Sequence, residues 1–106
     1  MIVVKSRNGV NIRLTDERWG HIGRRHPEMG IQRERVIETV SQPDLIQEGD
    51  EGALMAVRRY PETPLTEKFW VVAYREDSPE DGFVITAYFT SRPSASRRAL
   101  WKRSES

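Results

Sequence analysis

The chain has 106 residues, 37% hydrophobic and 31% charged, a balance typical of one globular domain with a heavily charged surface. No apolar run approaches the roughly 20 residues that a membrane-spanning helix needs, and the N-terminus MIVVKSRNGV has no signal-peptide pattern, so we expect a cytoplasmic protein without a membrane partner. Cysteine is absent, which excludes disulfides and thiolate zinc sites, and the net charge of +1 excludes a whole-protein attraction to nucleic acid.

The N-terminal segment is predicted to form a β-hairpin. Two short runs of alternating apolar residues flank an Asn-Gly dipeptide at positions 8–9. This dipeptide tolerates the positive φ angles of a two-residue turn. Residues 2–6 and 10–14 should therefore pair.

Two helices are predicted after the hairpin. Thr15 has the features of a helix N-cap, and the first helix should end near Arg25 because Pro27 disfavours helical geometry at the residue before it. Its apolar stripe consists of Trp19 and Ile22, and Trp19 and Trp70 are both expected in the core. A second helix is expected over about residues 32–41, with a buried face made of Val36, Ile37 and Val40.

The rest of the chain is predicted to form strands. The segments DLIQEG, ALMAVRRY, KFWVVAYRE and GFVITAYFT are joined by short turn-rich stretches, which favours an antiparallel meander. The expected fold class is therefore α+β, with an N-terminal β-hairpin and two helices packed on a four-stranded antiparallel sheet. Residues 1–106 form a single domain in this interpretation, with a core over about 10–101. A basic C-terminal tail after Ser91 continues as a short helix or strand ending near Trp101.

The last strand of the meander offers a candidate ligand surface. Simple alternation turns one set of side chains towards the helices, namely Phe83, Ile85, Ala87 and Phe89. The opposite set is Val84, Thr86, Tyr88 and Thr90. The polar members of this second set either bind a ligand or are strand formers that face water.

The octapeptide HIGRRHPE, residues 21–28, contains both histidines of the chain. At 100° per residue His21 falls on the polar face of the first helix with Arg18, Arg24 and Arg25. His26 closes the helix beside its apolar stripe, where a structural role competes with a catalytic one. Glu28 is interpreted as a local cap or ion-pair partner. A second basic stretch, SRPSASRRALWKRS, lies near the C-terminus.

Four segments in order, LTDERWGHIGRRHPE, ETVSQPDLI, FWVVAYRED and FVITAYFTS, resemble a group within the barnase–EndoU–colicin–RelE-like nuclease superfamily. The resemblance is to the domains of phage-derived polyvalent proteins and of small stand-alone bacterial proteins, and it covers roughly residues 10 to 101. It implies one or two N-terminal helices on a four-stranded antiparallel sheet. It also implies a metal-independent ribonuclease, toxin-like or phage-related, that needs no cofactor.

Such an enzyme cleaves an RNA phosphodiester by attack of the neighbouring 2′-hydroxyl, which requires a base, an acid and donors for the phosphate. The resemblance implies His21 as general acid or base, with His26 as the second catalytic candidate and Thr86 as a hydroxyl donor. Arginine forks suit phosphate, and an aromatic ring suits an RNA base. The implied substrate-binding residues are Arg24, Arg25, Arg58, Tyr88 and Ser91.

Two other functions stay open at this point. A non-catalytic module of the same fold would present the Thr–Tyr face to RNA or to a protein. A metal-dependent hydrolase would use His21, His26 and an acid, although a spacing of five does not put two ligands on one helical face. RNA is the expected partner, an antitoxin or immunity protein is a further candidate, and both a monomer and a homodimer are open.

Overall fold

The computed structural model describes residues 1–27, 33–63 and 66–103. These contain two helices, α1 (Asp16–Arg25) and α2 (Arg33–Ser41), and a short 3-10 helix (Asp50–Gly52). The strands are β1 (Ile2–Lys5), β2 (Asn11–Leu14), β3 (Leu45–Glu48), β4 (Leu54–Thr63), β5 (Thr66–Glu76), β6 (Asp81–Thr90) and β7 (Ala99–Lys102). They form a mixed seven-stranded sheet in the order β1-β2-β6-β5-β4-β3-β7. The α+β class and the antiparallel β3–β6 meander are confirmed, and the predicted four-stranded sheet is too small.

The N-terminal hairpin is confirmed, but its turn differs from the prediction. The N–H of Gly9 donates to the carbonyl of Ser6 at 2.9 Å, which places Arg7 and Asn8 at the centre of the turn. Gly9 has φ +83°, whereas Asn8 keeps a negative φ. The hairpin therefore has the three-residue type of loop, which ends in a left-handed glycine, and not the predicted two-residue turn. It leaves Arg7 at the hairpin tip.

The hairpin belongs to the main sheet because β2 pairs with β6 in parallel over residues 81–83. Arg13 reinforces this pairing, since its Nε and Nη2 each lie 3.0 Å from a carboxylate oxygen of Asp81. The pairing satisfies backbone groups at the start of β6 that the predicted sheet left at an edge. It stops at Phe83, and α1 also packs against β6.

The helix boundaries follow the predicted signals. The Thr15 hydroxyl accepts from the N–H of Arg18 at 3.0 Å, as an N-cap does. At the other end, the N–H of His26 donates to the carbonyl of Ile22 at 2.7 Å, and Pro27 follows. The helix α2 begins at Arg33 among the described residues, and the predicted start at residue 32, like Glu28, lies outside them.

Both helices pack on one side of the sheet, which we call the helix-bearing face. The core on this face includes Ile12, Leu14, Ile22, Val36, Val40, Trp70, Val72, Tyr74, Val84 and Ala87. Trp70 is 1% exposed, and Trp19 is half-buried against the same cluster, so the core prediction for both is confirmed.

A β-bulge in β6 corrects the predicted alternation. The register shifts so that Thr86 lies opposite Ala73, while Val84 lies opposite Tyr74. Val84 therefore joins the core on the helix-bearing face, and Ile85 packs on the other side, opposite to the prediction for both. The extra residue of a bulge inverts the facing of everything before it, which also moves Phe83 off the helix-bearing face. From Thr86 onwards the predicted facing holds.

The tail forms strand β7, one of the two predicted alternatives, at the far edge of the sheet. Three strands separate β6 from β7, a distance of about 19 Å at normal strand spacing. Residues 91–98 make this connection and span at most about 28 Å when extended, so they pass directly over the sheet. We call them the crossing segment and the side they cover the crossed face. Beneath lies a second cluster of Met55, Val57, Val71 and Ala73.

Candidate functional site

A groove lies on the crossed face between β6 and the crossing segment, with a volume of about 210 Å³. We call it the β6 groove, and it is lined by Gln47, Met55, Val71, Tyr88, Thr90, Arg92, Pro93, Ser94 and Arg97. The pairings of Thr86, Tyr88 and Thr90 with β5 put all three side chains on this face. The predicted Thr–Tyr–Thr row thus lines or borders a real depression, which has an apolar floor and a polar rim.

His26 and Tyr88 meet beside the groove. Their ring centroids are 5.7 Å apart and their planes are tilted by 33°. The fold produces this contact because β2 leaves the edge of β6 after Phe83, and His26 at the end of α1 reaches Tyr88 at the uncovered part of that edge. Two predicted site residues from distant parts of the chain are therefore brought together, and His26 is half-buried.

The crossing segment supplies two arginines to the groove. The guanidinium of Arg97 lies 3.2 Å from the carbonyl of Glu48 and 3.2 Å from Oδ1 of Asp50. Its hydrogen bonds to Asp50, together with that carboxylate's charge, raise the pKa of Arg97 above its ordinary value. Arg92 is exposed, and no described residue binds its guanidinium. The groove therefore has one fixed cation and one that is available to an anion.

Gln47 holds the crossing segment in place. Its side chain is 6% exposed, and its Nε2 donates to the carbonyl of Ser94 at 2.8 Å. The N–H of Glu48 donates to the carbonyl of Arg98 at 2.8 Å and adds a second tie. Because buried amides that keep their hydrogen bonds rigidify their surroundings, the groove wall is preorganised by β3.

His21 lies in a different cleft. This cleft has a volume of about 330 Å³ and is lined by Thr15, Glu17, Arg18, His21 and Arg24, all from α1 or its cap. Arg25 is exposed on the same helix. The structure thus gathers His21 and Arg24 as the sequence predicted, but without Thr86 or Tyr88 in that cleft.

Arg58 lies on the helix-bearing face, away from the β6 groove. Its Nη1 donates to the carbonyl of Gln42 at 2.6 Å, and its Nε is 3.2 Å from Oε1 of Glu38. Glu38 also accepts a hydrogen bond from the hydroxyl of Tyr60, whose pKa is raised to about 12 by burial and by this carboxylate. Arg58 therefore ties α2 to β4. Ser91 is exposed just after β6 and does not line the groove.

The described part of the chain contains no cluster of metal-ligating side chains. Within residues 1–27, 33–63 and 66–103, no three histidine, aspartate or glutamate side chains are close enough together to hold a metal ion. No helix in the same ranges is long and apolar enough to cross a membrane.

Sequence reasoning did not assign Arg92, Arg97 or Gln47 to the site. The two arginines were visible as part of a basic stretch, but their position depends on the path of the crossing segment over the sheet. Gln47 carried no signal, since its role depends on a carbonyl 47 residues away. Comparisons with protein-family models, with curated proteins and with solved structures found no match to this chain.

Proposed function

We propose that the protein is a metal-independent ribonuclease whose site is the β6 groove with His26 at its edge. The observation that carries the proposal is the contact between the His26 and Tyr88 rings beside a groove lined by Arg92 and Arg97. Imidazole, guanidinium and aromatic ring are the three groups that RNA cleavage and single-strand recognition need. The superfamily resemblance noted from the sequence supports the same reaction.

In the proposed reaction the 2′-oxygen of one nucleotide attacks the adjacent phosphorus while the bond to the 5′-oxygen breaks. The products are a 2′,3′-cyclic phosphate and a 5′-hydroxyl. His26 transfers a proton to or from one of these oxygens, a role that an imidazole commonly takes in general acid–base catalysis. Arg92 and Arg97 stabilise the charge on the phosphate, and Tyr88 stacks on a base.

The runner-up is a non-catalytic RNA-binding module. One observation favours it: the described residues that line the groove include no carboxylate and no histidine. General acid–base catalysis works best with two titratable groups, and His26 is the single histidine beside this face. Hydroxyl donors such as Thr86 would have to supply the rest. A module of this kind would bind RNA in the same groove without turnover.

The deciding experiment is cleavage of a 5′-labelled mixed-sequence RNA by wild type, His26→Ala and His21→Ala, each with and without a chelator. We expect chelator-resistant cleavage that leaves cyclic phosphate ends. Loss of His26 should reduce the rate by about 10²–10⁴-fold, the usual range for a general acid or base. His21→Ala is the matched control on the same helix and should change the rate by less than about tenfold, because its cleft is separate.

The outcomes separate the candidate functions. RNA binding by wild type without any cleavage would leave the binding module as the function. Cleavage lost in His21→Ala but kept in His26→Ala would move the site to the α1 cleft. Cleavage abolished by the chelator would establish the metal-dependent alternative.

A further inference from the structure

A second cationic cleft lies at the β7 edge, on the helix-bearing side. It has a volume of about 340 Å³ and is lined by Arg7, Ser41, Gln42, Pro43, Trp101 and Arg103. The strands β1 and β7 are the opposite edges of the sheet, yet the guanidinium of Arg7 sits 4.8 Å from the centroid of the Trp101 ring. The sheet therefore curls until the hairpin tip meets the far edge strand.

The two arginines of this cleft are in different states. Arg103 is already paired, since its Nη1 lies 2.7 Å from Oδ1 of Asp44. Arg7 is exposed and lies over the Trp101 ring, and its guanidinium forms no hydrogen bond or ion pair with another described residue. A guanidinium stacked on an aromatic face keeps its N–H edge free for a planar, bidentate acceptor. The cleft thus holds a preorganised arginine whose charge no described carboxylate neutralises.

We propose that this cleft binds a phosphate group of the RNA strand that occupies the β6 groove, with Arg7 as the donor and Trp101 as its support. The inference rests on the proposed function, because RNA is the source of the phosphate. The chain itself links the two places: the crossing segment leads from the groove into β7, and Trp101 in that strand and Arg103 directly after it line the cleft. Exposed Lys102 adds positive charge along this path, whereas Arg98 is paired with Glu48, its Nε lying 3.2 Å from Oε2.

The geometry makes the proposal depend on RNA length. The groove is on the crossed face and the cleft on the helix-bearing side, so only a strand long enough to pass the β7 edge occupies both. A short oligonucleotide reaches the groove alone. A free phosphate ion binds without reaching Arg98 or Lys102, whereas an RNA strand passes both. A dependence on RNA length therefore separates the two possible sources of the anion.

The test uses 2′-O-methyl oligouridines of 20 and 4 nucleotides, labelled with fluorescein, which cannot be cleaved because the attacking hydroxyl is blocked. Binding is measured by anisotropy for wild type, Arg7→Gln and Trp101→Leu. The control Lys5→Gln removes one exposed charge from β1 outside the cleft. We expect Arg7→Gln to weaken binding of the 20-mer about tenfold. The slope of the logarithm of affinity against the logarithm of salt concentration should fall by about 0.7, as expected for one lost contact to a single strand. The 4-mer should change less than about twofold.

Four results decide the matter. Equal 20-mer affinity for Arg7→Gln and Lys5→Gln would overturn the second site while leaving the proposed function intact. Arg7-dependent binding without any RNA cleavage would support the second site and refute the ribonuclease. No binding of the 20-mer by wild type would overturn both. Inorganic phosphate that changes the tryptophan fluorescence of wild type but not of Trp101→Leu, where RNA changes neither, would assign the cleft to free phosphate instead.

Discussion

The two faces of the sheet differ in what covers them. Two helices cover the helix-bearing face and bury large side chains, including Trp70 and Tyr74. An eight-residue segment, SRPSASRR, covers the crossed face over Met55, Val57, Val71 and Ala73. The same strands supply both faces, but one cover packs apolar side chains on the sheet, whereas the other consists mostly of serine and arginine. Free energy of folding is therefore concentrated on one side, and ligand-binding groups on the other.

This division explains how a small domain can combine a stable core with a polar groove. Burial of apolar area is the main favourable contribution to folding, at roughly 25 cal/mol per Å². The helix-bearing face supplies most of it, so the crossed face can hold arginines and hydroxyl groups at small cost. Its cover is fixed by hydrogen bonds, such as that from Gln47 to Ser94, and not by packing alone.

The largest effect should come from damage to the helix-bearing face. Ile22 is fully buried between α1 and the sheet, so Ile22→Ala removes a methyl and an ethyl group and leaves a cavity. We expect a loss of about 2–5 kcal/mol in the free energy of unfolding, measured by urea denaturation. The control Leu100→Ala alters a side chain that is 44% exposed and should cost less than about 0.5 kcal/mol. Similar losses for the two variants would contradict this division between the faces.

Much of the helix-bearing face could be predicted from sequence, because its signals are local. The Thr15 cap, Pro27 after the first helix and the apolar stripes each act within a few residues. The hairpin turn was misplaced by one residue, because Gly9 alone, and not Asn8, adopts the left-handed conformation. The parallel β2–β6 pair was missed, since nothing in either strand encodes a partner about 70 residues away.

The crossed face was harder to predict because its order arises from long-range geometry. The bulge in β6 opposite Ala73 and Tyr74 has no sequence signature, and it reversed the expected facing of Val84 and Ile85. The path of the crossing segment follows from the strand order, which the sequence pattern did not contain. The contact of His26 with Tyr88 needs both, and so the pairing of those two residues was not predicted even though each was a candidate.

A second, smaller effect should appear at high pH on the helix-bearing face. The pKa of Tyr60 is raised to about 12 by burial and by Glu38, against an unfolded value near 10, so its contribution to stability is complete below pH 10. This contribution is lost as the pH rises from 10 to 12, since the unfolded chain then releases the proton more readily. For Tyr60→Phe we expect urea denaturation to show a smaller loss of unfolding free energy between pH 10 and 12 than for the wild type.

Some dependence of the unfolding free energy on pH should remain in Tyr60→Phe. Burial also raises the pKa of Tyr74, which acts in the same direction and remains in Tyr60→Phe. If the unfolding free energy of Tyr60→Phe fell as steeply as that of wild type between pH 10 and 12, Tyr60 would ionise equally easily in the folded and unfolded states.

The smallest effect should come from the ion pair that anchors the crossed face. Asp50 binds Arg97 with Oδ1 at 3.2 Å from Nη1, but its side chain is 87% exposed. Asp50→Asn should therefore change the free energy of unfolding by less than about 1 kcal/mol. It should strengthen binding of a 4-nucleotide 2′-O-methyl oligouridine about two- to threefold, because Arg97 keeps its bond to the Glu48 carbonyl and loses a competing anion. The matched control, Glu80→Gln, removes an exposed charge in the β5–β6 turn, and an equal gain there would mean that net charge alone governs affinity, not the groove.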